Sequence, residues 1–306
     1  MRRNSLVWVM ALVSTLPQRP VTRRRLLQAG ILGAAGLALY AGEAERHWAE
    51  LTNIEIALRG LPAAFEGLRI VQLSDIHMDE FTEPFFLRHI VRRVNALNPD
   101  IVLLTGDFVS DGPLSNQFSL GAAWQCAGIL KDLACPQRYA ILGNHDVIVS
   151  EDEVSQALTT NGIPVLNNSY LPLERGGDKV WLAGVNDPLT GHPDPEAAVP
   201  DLIRNKPNEP VILMCHGPDY VDRILRHPVG RAIDLTLSGH THGGQVRLPF
   251  AAAFTLPPMG RKYVQGHFQI GSMQLYVNRG IGTVGVPFRF ACPPEITQIT
   301  LRRAQG

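Results

Sequence analysis

The stretch IDLTLSGHTHG, residues 233–243, runs from aliphatic residues straight into Gly239, His240, Thr241 and His242. A short apolar run that stops at glycine reads as a buried strand, so the two histidines fall at its C-terminal end. Residues two apart in an extended segment share a face, which lets His240 and His242 converge on one small volume. On their own they fit a polar surface turn equally well. Five other runs share the grammar: LRIVQLSD (68–75), PDIVLLTGD (99–107), RYAILGNHD (138–146), KVWLAGVND (179–187) and EPVILMCHG (209–217). Each is rich in Val, Ile and Leu and delivers Asp, Asn or His at the strand end where open α/β sheets bind their ligands.

Between these strands Leu87, Ile90, Val91, Val94 and Leu97 follow helical spacing, and 117–132, 151–161 and 218–227 are further expected helices. The tail returns to β with MQLYVNRGIG (273–282) and EITQITL (295–301). Strands alternate with helices early and cluster late, which predicts an α/β (α+β) chain of two stacked mixed β-sheets flanked by helices. With 306 residues, 45% of them hydrophobic, and no repeat or internal break, one domain over 49–306 is expected.

Lys+Arg and Asp+Glu both number 28, but six arginines and no acid lie in residues 1–25, leaving 22 basic against 28 acidic residues and a net of −6 beyond them. A body of that sign disfavours general nucleic-acid binding. Cys126, Cys135, Cys215 and Cys292 form no CxxC pair and read as buried small apolar residues, with Cys126–Cys135 the one disulfide worth considering.

Residues 1–48 read as a leader. TRRRLLQAGILGAAGLALYAG (22–42) sets Arg23, Arg24 and Arg25 before an apolar run rich in Ala and Gly. It resembles a twin-arginine export signal, with an uncleaved membrane anchor as the close rival. Both place the positive flank in the cytoplasm and the following domain outside, at the cell membrane or in the periplasm. A second apolar stretch, SLVWVMALVSTL (5–16), leaves open a hairpin that would keep the domain on the cytoplasmic face of the inner membrane.

The strand ends in order are Asp75 with His77, Asp107, Asn144 with His145 and Asp146, His216, and His240 with His242. Five such stations over about 170 residues, each after an apolar run, are hard to explain as turns. Carboxylate, imidazole and amide oxygen without thiolate suit divalent Mn, Fe or Zn. These groups exceed one tetrahedral site and suffice for two divalent metal ions sharing a carboxylate at ~3.5–4 Å.

D-x-H, GD, GNHD, an isolated His and GHTH, in this order, resemble the five motif blocks of the calcineurin-like metallophosphoesterases over residues 68–301. The resemblance implies a four-layer αββα sandwich. It places Asp75, His77, Asp107 and His242 on a first ion and Asp107, Asn144, His216 and His240 on a second. It casts His145 as the group that steadies the transition state or protonates the leaving oxygen, oriented by Asp146. The implied reaction is in-line displacement at phosphorus.

FVSDG after Asp107 lacks the arginine of the Ser/Thr phosphatases, Asp111 reads as repelling phosphate, and Ser110 replaces the tyrosinate of purple acid phosphatases. GHTHGGQVRLP, GRKYVQGHF, LYVNRGIGTVGVPFRF and CPPEI are instead similar to a membrane-linked bacterial branch that includes exported phosphoesterases and a UDP-diacylglucosamine pyrophosphatase. Those blocks offer Arg247, Arg261, Lys262, Arg279 and Arg289 as phosphate contacts, with Arg279, Asn144 and His145 taken as substrate-binding. The apolar segment LPFAAAFTLPPMG (248–260) reads either as a hairpin on the domain's own core or as a lip for acyl chains or a membrane surface. The expected activity is hydrolysis of phosphodiester or pyrophosphate bonds in a phosphate-ester or lipid-linked substrate. A nuclease or cyclic-nucleotide phosphodiesterase, or a non-catalytic scaffold of the same fold, are the alternatives.

Overall fold

The computed structural model describes residues 22–78, 81–112, 116–206, 208–248 and 256–304. The apolar run 5–16 and most of the 248–260 segment lie outside the described residues. The chain divides into Met1–Tyr40 and Ala41–Gly306. The first unit carries α1 (Arg23–Leu39), whose start is capped by the Thr22 hydroxyl accepting from Arg25 N. None of its residues is buried, although Leu26, Leu27, Ile31, Leu32 and Leu39 are all apolar. By length and composition the helical stretch Arg23–His47 can cross a membrane. Residues 41–48, read from sequence as leader, fall with the second unit.

That unit holds two mixed sheets. One runs β1 (Glu50–Leu58), β11 (Glu295–Arg303), β2 (Arg69–Leu73), β3 (Ile101–Leu104), β4 (Arg138–Ala140). The other runs β5 (Ser169–Arg175), β6 (Asp178–Gly184), β7 (Val211–Met214), β8 (Ile233–Ser238), β10 (Met273–Val277), β9 (Gly266–Ile270). β2, β3 and β4 are parallel, as are β6, β7, β8 and β10, so their C-terminal ends share one edge in each sheet.

Strand periodicity builds the layers. In β2 and β3, Ile70, Ile101 and Leu103 face the second sheet, where Ile212, Met214, Leu235 and Leu237 meet them. The intervening Val71, Leu73, Val102 and Leu104 turn the other way, onto α2 (Pro84–Leu97), α3 (Asn116–Leu130) and α4 (Asn144–Thr160). In the second sheet Val211, Leu213, Leu275 and Val277 turn outward to Ala198, Ile203, Val221 and Ile224. Burying both faces explains the near-continuous apolar runs, each side chain contributing about 1.5–3 kcal/mol. All four cysteines are free and buried.

Three strands escaped the sequence reading, and all three are sheet edges: β1, β5 and β9. An edge needs no unbroken apolar run, as the half-exposed ELTNIEIAL of β1 illustrates. The helix expected at 218–227 is shorter, a 3₁₀ turn Pro218–Tyr220 running into a single α-helical turn, Val221–Ile224. Pro218 and Pro228 bracket the segment and leave too few residues for a sustained helix.

Candidate metal centre

The strand ends do not continue as strand. Asp75, His77, Asp107, His240 and His242 all take positive φ, five of the ten described non-glycine residues that do. Such a conformation costs on the order of 1–3 kcal/mol per residue and persists only where its surroundings impose it. Here adjoining loops impose it: Asp75 N donates to Gly106 O, His77 N to Asp107 O, and His240 N to the Asp75 carboxylate. The two sheets are tied behind them by Gln72, whose amide donates to Thr105 Oγ1 and to Ser238 O. Packing is closest at Gly239, where a Cβ would stand 1.8 Å from Ser74 Oγ and 2.3 Å from Asp75 Oδ2. Only glycine fits there.

Two buried triads result, Asp75–His77–His242 and Asp107–His216–His240, with the ligand atoms of each within 4.8 Å of one another. Asp107 touches both: its Oδ2 lies 3.6 Å from His77 Nε2 and 3.0 Å from His216 Nε2. His77 Nε2 and His242 Nε2 face each other at 3.0 Å. Such a pair can hold one proton or one cation between two ring nitrogens. His216 donates its Nδ1–H to Thr105 O at 2.7 Å, which leaves Nε2 facing Asp107 and the shared space with no aligned hydrogen-bond partner. His240 donates Nε2–H to Pro258 O at 2.7 Å, which turns Nδ1 inward. Asn144 Oδ1 is buried and unpartnered as well. Buried lone pairs aimed at a shared space without donors are costly unless a cation fills it, so this residue set fits divalent ions.

Protonation tells the same story. Burial holds His77 down to about 3, His240 to about 4, and His242 well below its ordinary value, so these rings stay neutral as metal ligands require. Burial pushes Asp75 up to about 6. Burial would lower His216, but Asp107, then Asp75 and Asp187, lift it to about 10. A proton there stands in for the positive charge the carboxylates call for.

The structure divides the other expected site residues. His145 is mostly buried beside the triads, its ring 4.9 Å from that of His77, and its backbone N–H donates to Asp107 Oδ1. Its carboxylate partner is Asp111, whose Oδ1 contacts His145 Nδ1. This corrects two expectations, that Asp146 orients His145 and that Asp111 opposes the site. Asp146 accepts four backbone N–H groups instead, from Asp107 and Gly143 on Oδ2 and from Phe108 and Val109 on Oδ1. Burial and the charge of Asp107 push Asp146 up to about 7. Burial also works against an imidazolium at His145, yet Asp107, Asp111 and Asp146 outweigh it and raise the ring above its ordinary value.

Arg279 is not brought to the centre as a free cation. Its Nε donates to Glu295 and its Nη2 to Glu50, so its charge is already matched twice. Arg289 is fully buried, with its donors on the carbonyls of Gly282, Cys292 and Arg279 and on His242 Nδ1 at 3.4 Å; it braces the centre from behind. Lys262 pairs with Asp222.

Sequence reasoning also passed over Asp187, although KVWLAGVND showed the common grammar. Its Oδ2 accepts from Leu189 N, Thr190 N and Thr190 Oγ1, and Thr190 Oγ1 also lies 3.3 Å from Asn144 O. Asp187 therefore shapes the turn that borders Asn144.

The centre opens into a cleft of about 380 Å³. Asp107, Asn144, His145, His240 and His242 form its floor, and Leu189, Val246, Pro257, Pro258, Val284 and Val286 supply apolar walls. No Lys or Arg is among the described residues lining it.

Buried carboxylates and imidazoles gathered around a shared Asp, with a carboxylate-paired histidine at the mouth, define a metal-dependent hydrolase of phosphoric esters. The chain belongs to the calcineurin-like phosphoesterase family, whose model matches residues 68–244. It is 36% identical over 90% of its length to the uncharacterized metallophosphoesterase YkuE of Bacillus subtilis (strain 168), covering 93% of that protein. It is 30% identical to the phosphodiesterase YaeI of Escherichia coli (strain K12), over 92% of this chain and 99% of that one. To the UDP-2,3-diacylglucosamine pyrophosphatase LpxG of Chlamydia muridarum it is 29% identical, over 84% of this chain and 91% of the other.

Proposed function

We propose that the protein uses two divalent ions to hydrolyse phosphodiester or pyrophosphate bonds in a lipid-linked or cell-envelope substrate, of the class that UDP-2,3-diacylglucosamine represents. The observation that carries this reading is the cleft, which joins the polar cluster directly to apolar walls. A polynucleotide would call for basic side chains along its path, whereas an acyl-bearing phosphate ester matches apolar walls ending at a polar floor.

Asp75, His77, Asp107 and His242 would hold one ion, and Asp107, Asn144, His216 and His240 the other. Bound there, the ions would lower the pKa of water and offset charge developing on the phosphoryl group. The protein's own residues do the rest. Protonated His145 donates to the leaving oxygen, and Asp111 keeps Nδ1 engaged so that Nε2 is the donating atom. Asp146 fixes the loop that carries Asp107. The apolar walls exclude water from the reacting centre. Residues 1–40 serve as the membrane anchor, with Arg23, Arg24 and Arg25 on the cytoplasmic side and the domain beyond it outside.

Metal analysis of the purified chain, followed by turnover on bis-p-nitrophenyl phosphate, phospholipids and UDP-2,3-diacylglucosamine, tests the reading. Changing Leu189 and Val246 together to Ser is expected to lower kcat/KM for lipid-linked substrates at least about tenfold, the scale of one or two lost apolar contacts, with a much smaller effect on the soluble diester. Equal losses on both would remove the lipid-linked substrate from the proposal.

A further inference from the structure

The loop that forms the outer wall of the cleft is also the place where the chain enters the folded unit. Ala41 O accepts from Arg289 N at 3.0 Å, and Gly42 lies so close beneath Phe288 that a Cβ there would stand 3.0 Å from the ring. The next residues are pinned in turn: Glu45 accepts from Cys292 N, Arg46 donates to Phe81 O, and His47 and Arg46 both meet Glu83. Ala41–His47 is therefore a fixed part of the unit that carries the metal centre.

Loop 284–288 is equally fixed. The buried Gln245 side chain, three residues after His242, donates to Val284 O and Val286 O and accepts from Val284 N. On this rigid frame Val286 remains 45% exposed and Phe288 38% exposed, and Leu189 across the cleft is 38% exposed. Leu189 and Val286 thus stand in solvent on the walls of the cleft, and Phe288 extends the same loop over Gly42.

Covalent geometry says what covers them. α1 ends at Leu39, and the two residues from there to Ala41 reach at most ~7 Å. The interfacial layer of a bilayer is about 5–8 Å deep on each side of the hydrocarbon core. A helix with no buried residue and exposed leucines along its length calls for lipid, and Tyr40 at its end, 48% exposed, is the residue type that settles at that layer. Once α1 is in the hydrocarbon, Ala41 and the loop packed on it lie within reach of the headgroups.

We propose that loop 284–288, with Val286 and Phe288 at its tip, is a membrane-docking surface that seats the mouth of the cleft on the phospholipid bilayer holding α1. This deepens the lipid-linked reading above and rests on it for its purpose, because a substrate held in the same bilayer would enter the cleft without leaving the lipid. The geometric claim concerns depth and can be read without turnover.

The four native cysteines are buried, so an engineered surface cysteine labels selectively. The full-length chain carrying V286C, labelled with an environment-sensitive fluorophore, is reconstituted into phosphatidylethanolamine–phosphatidylglycerol vesicles containing nitroxide-bearing lipid. Companion samples carry L39C, to report insertion of the helix, and E174C on the exposed face of β5. The label at 286 is expected to be quenched several-fold more strongly than the label at 174, and to shift to the blue. Quenching at 39 with none at 286 beyond that at 174 would overturn the proposal, as would absence of quenching at all three. If V286C does not fold, F288C carries the label with the same expectations. A chain that fails to cleave lipid-linked substrates yet shows quenching at 286 would refute the substrate reading alone.

Discussion

Asp111 and His145 form a carboxylate–imidazole pair at the edge of the metal cluster, with Asp111 Oδ1 in contact with His145 Nδ1. Asp146, adjacent to His145 in sequence, turns both oxygens onto backbone N–H groups. The geometry therefore gives the two carboxylates different roles. Asp111 pairs directly with the ring, and Asp146 holds the shape of the loop that carries Asp107.

Asp111→Asn is expected to lower kcat by about 10- to 100-fold, part of the 10²–10⁴-fold available to general acid catalysis, while metal content and Tm stay unchanged. Asp146→Asn places an amide NH₂ against two backbone donors, at about 1–3 kcal/mol for each group left unsatisfied. It should lower Tm and reduce bound metal. Thermal denaturation and metal analysis on both variants check the division, and similar profiles for the two would contradict it.

Asp107 Oδ2 lies between the two triads, 3.0 Å from His216 and 3.6 Å from His77, closer to His216 than Asp75 at 4.0 Å. Asp107→Asn should lose metal and turnover together, whereas His145→Ala should lose turnover and keep its metal. In the wild type, adding the correct ion at a hundredfold excess over its Kd should stabilise the fold by about 2.7 kcal/mol per site. Chelator titration with a thermal readout measures this, and an unshifted Tm would argue against a built cation site.

The legible part of the sequence was the part repeated by period and order. Buried central strands must be apolar on both faces, so β2, β3, β7 and β8 announced themselves, and the polar groups closing them marked the site. The edge strands carried no such demand. Asp111 was misread because its sequence neighbourhood pairs it with the phosphate side of a sister family, while its partner His145 is 34 residues away and meets it only in the folded chain. The partners of Arg279 were hidden for a similar reason: a Gly-flanked arginine at a strand end suits phosphate, while Glu50 and Glu295 reach it from the two ends of the folded unit.

Glu295 gives a prediction in pH. Burial would raise its carboxyl, but Arg279, with hydrogen bonds from Tyr276 and Thr297, holds it below its ordinary value. A depressed folded pKa adds stability that is complete above the unfolded value of about 4.3 and is lost as pH falls through the lower folded value. Glu295→Gln should therefore be less stable than wild type at pH 7, and the gap should close in the acid range below about 4.3. Urea midpoints measured across pH 3–7 would show this, and a gap independent of pH would assign the loss to packing alone.

Arg289 tests whether the centre depends on the wall behind it. Among the described residues no carboxylate contacts its buried guanidinium; its donors go to Gly282 O, Cys292 O and Arg279 O, and its Nη2 lies 3.4 Å from His242 Nδ1. Burial lowers its pKa from the usual arginine value, yet a guanidinium stays charged where an ammonium would not. Lysine offers one nitrogen where arginine offers a planar fork, so Arg289→Lys leaves several buried carbonyls unpaired at about 1–3 kcal/mol each. The variant should lose Tm and, of the two ions proposed above, release the one assigned to Asp75, His77 and His242 more readily than the one assigned to His216 and His240. Stepwise chelation followed by metal counting separates the two sites, and equal release from both would place Arg289 in the fold at large instead of behind His242.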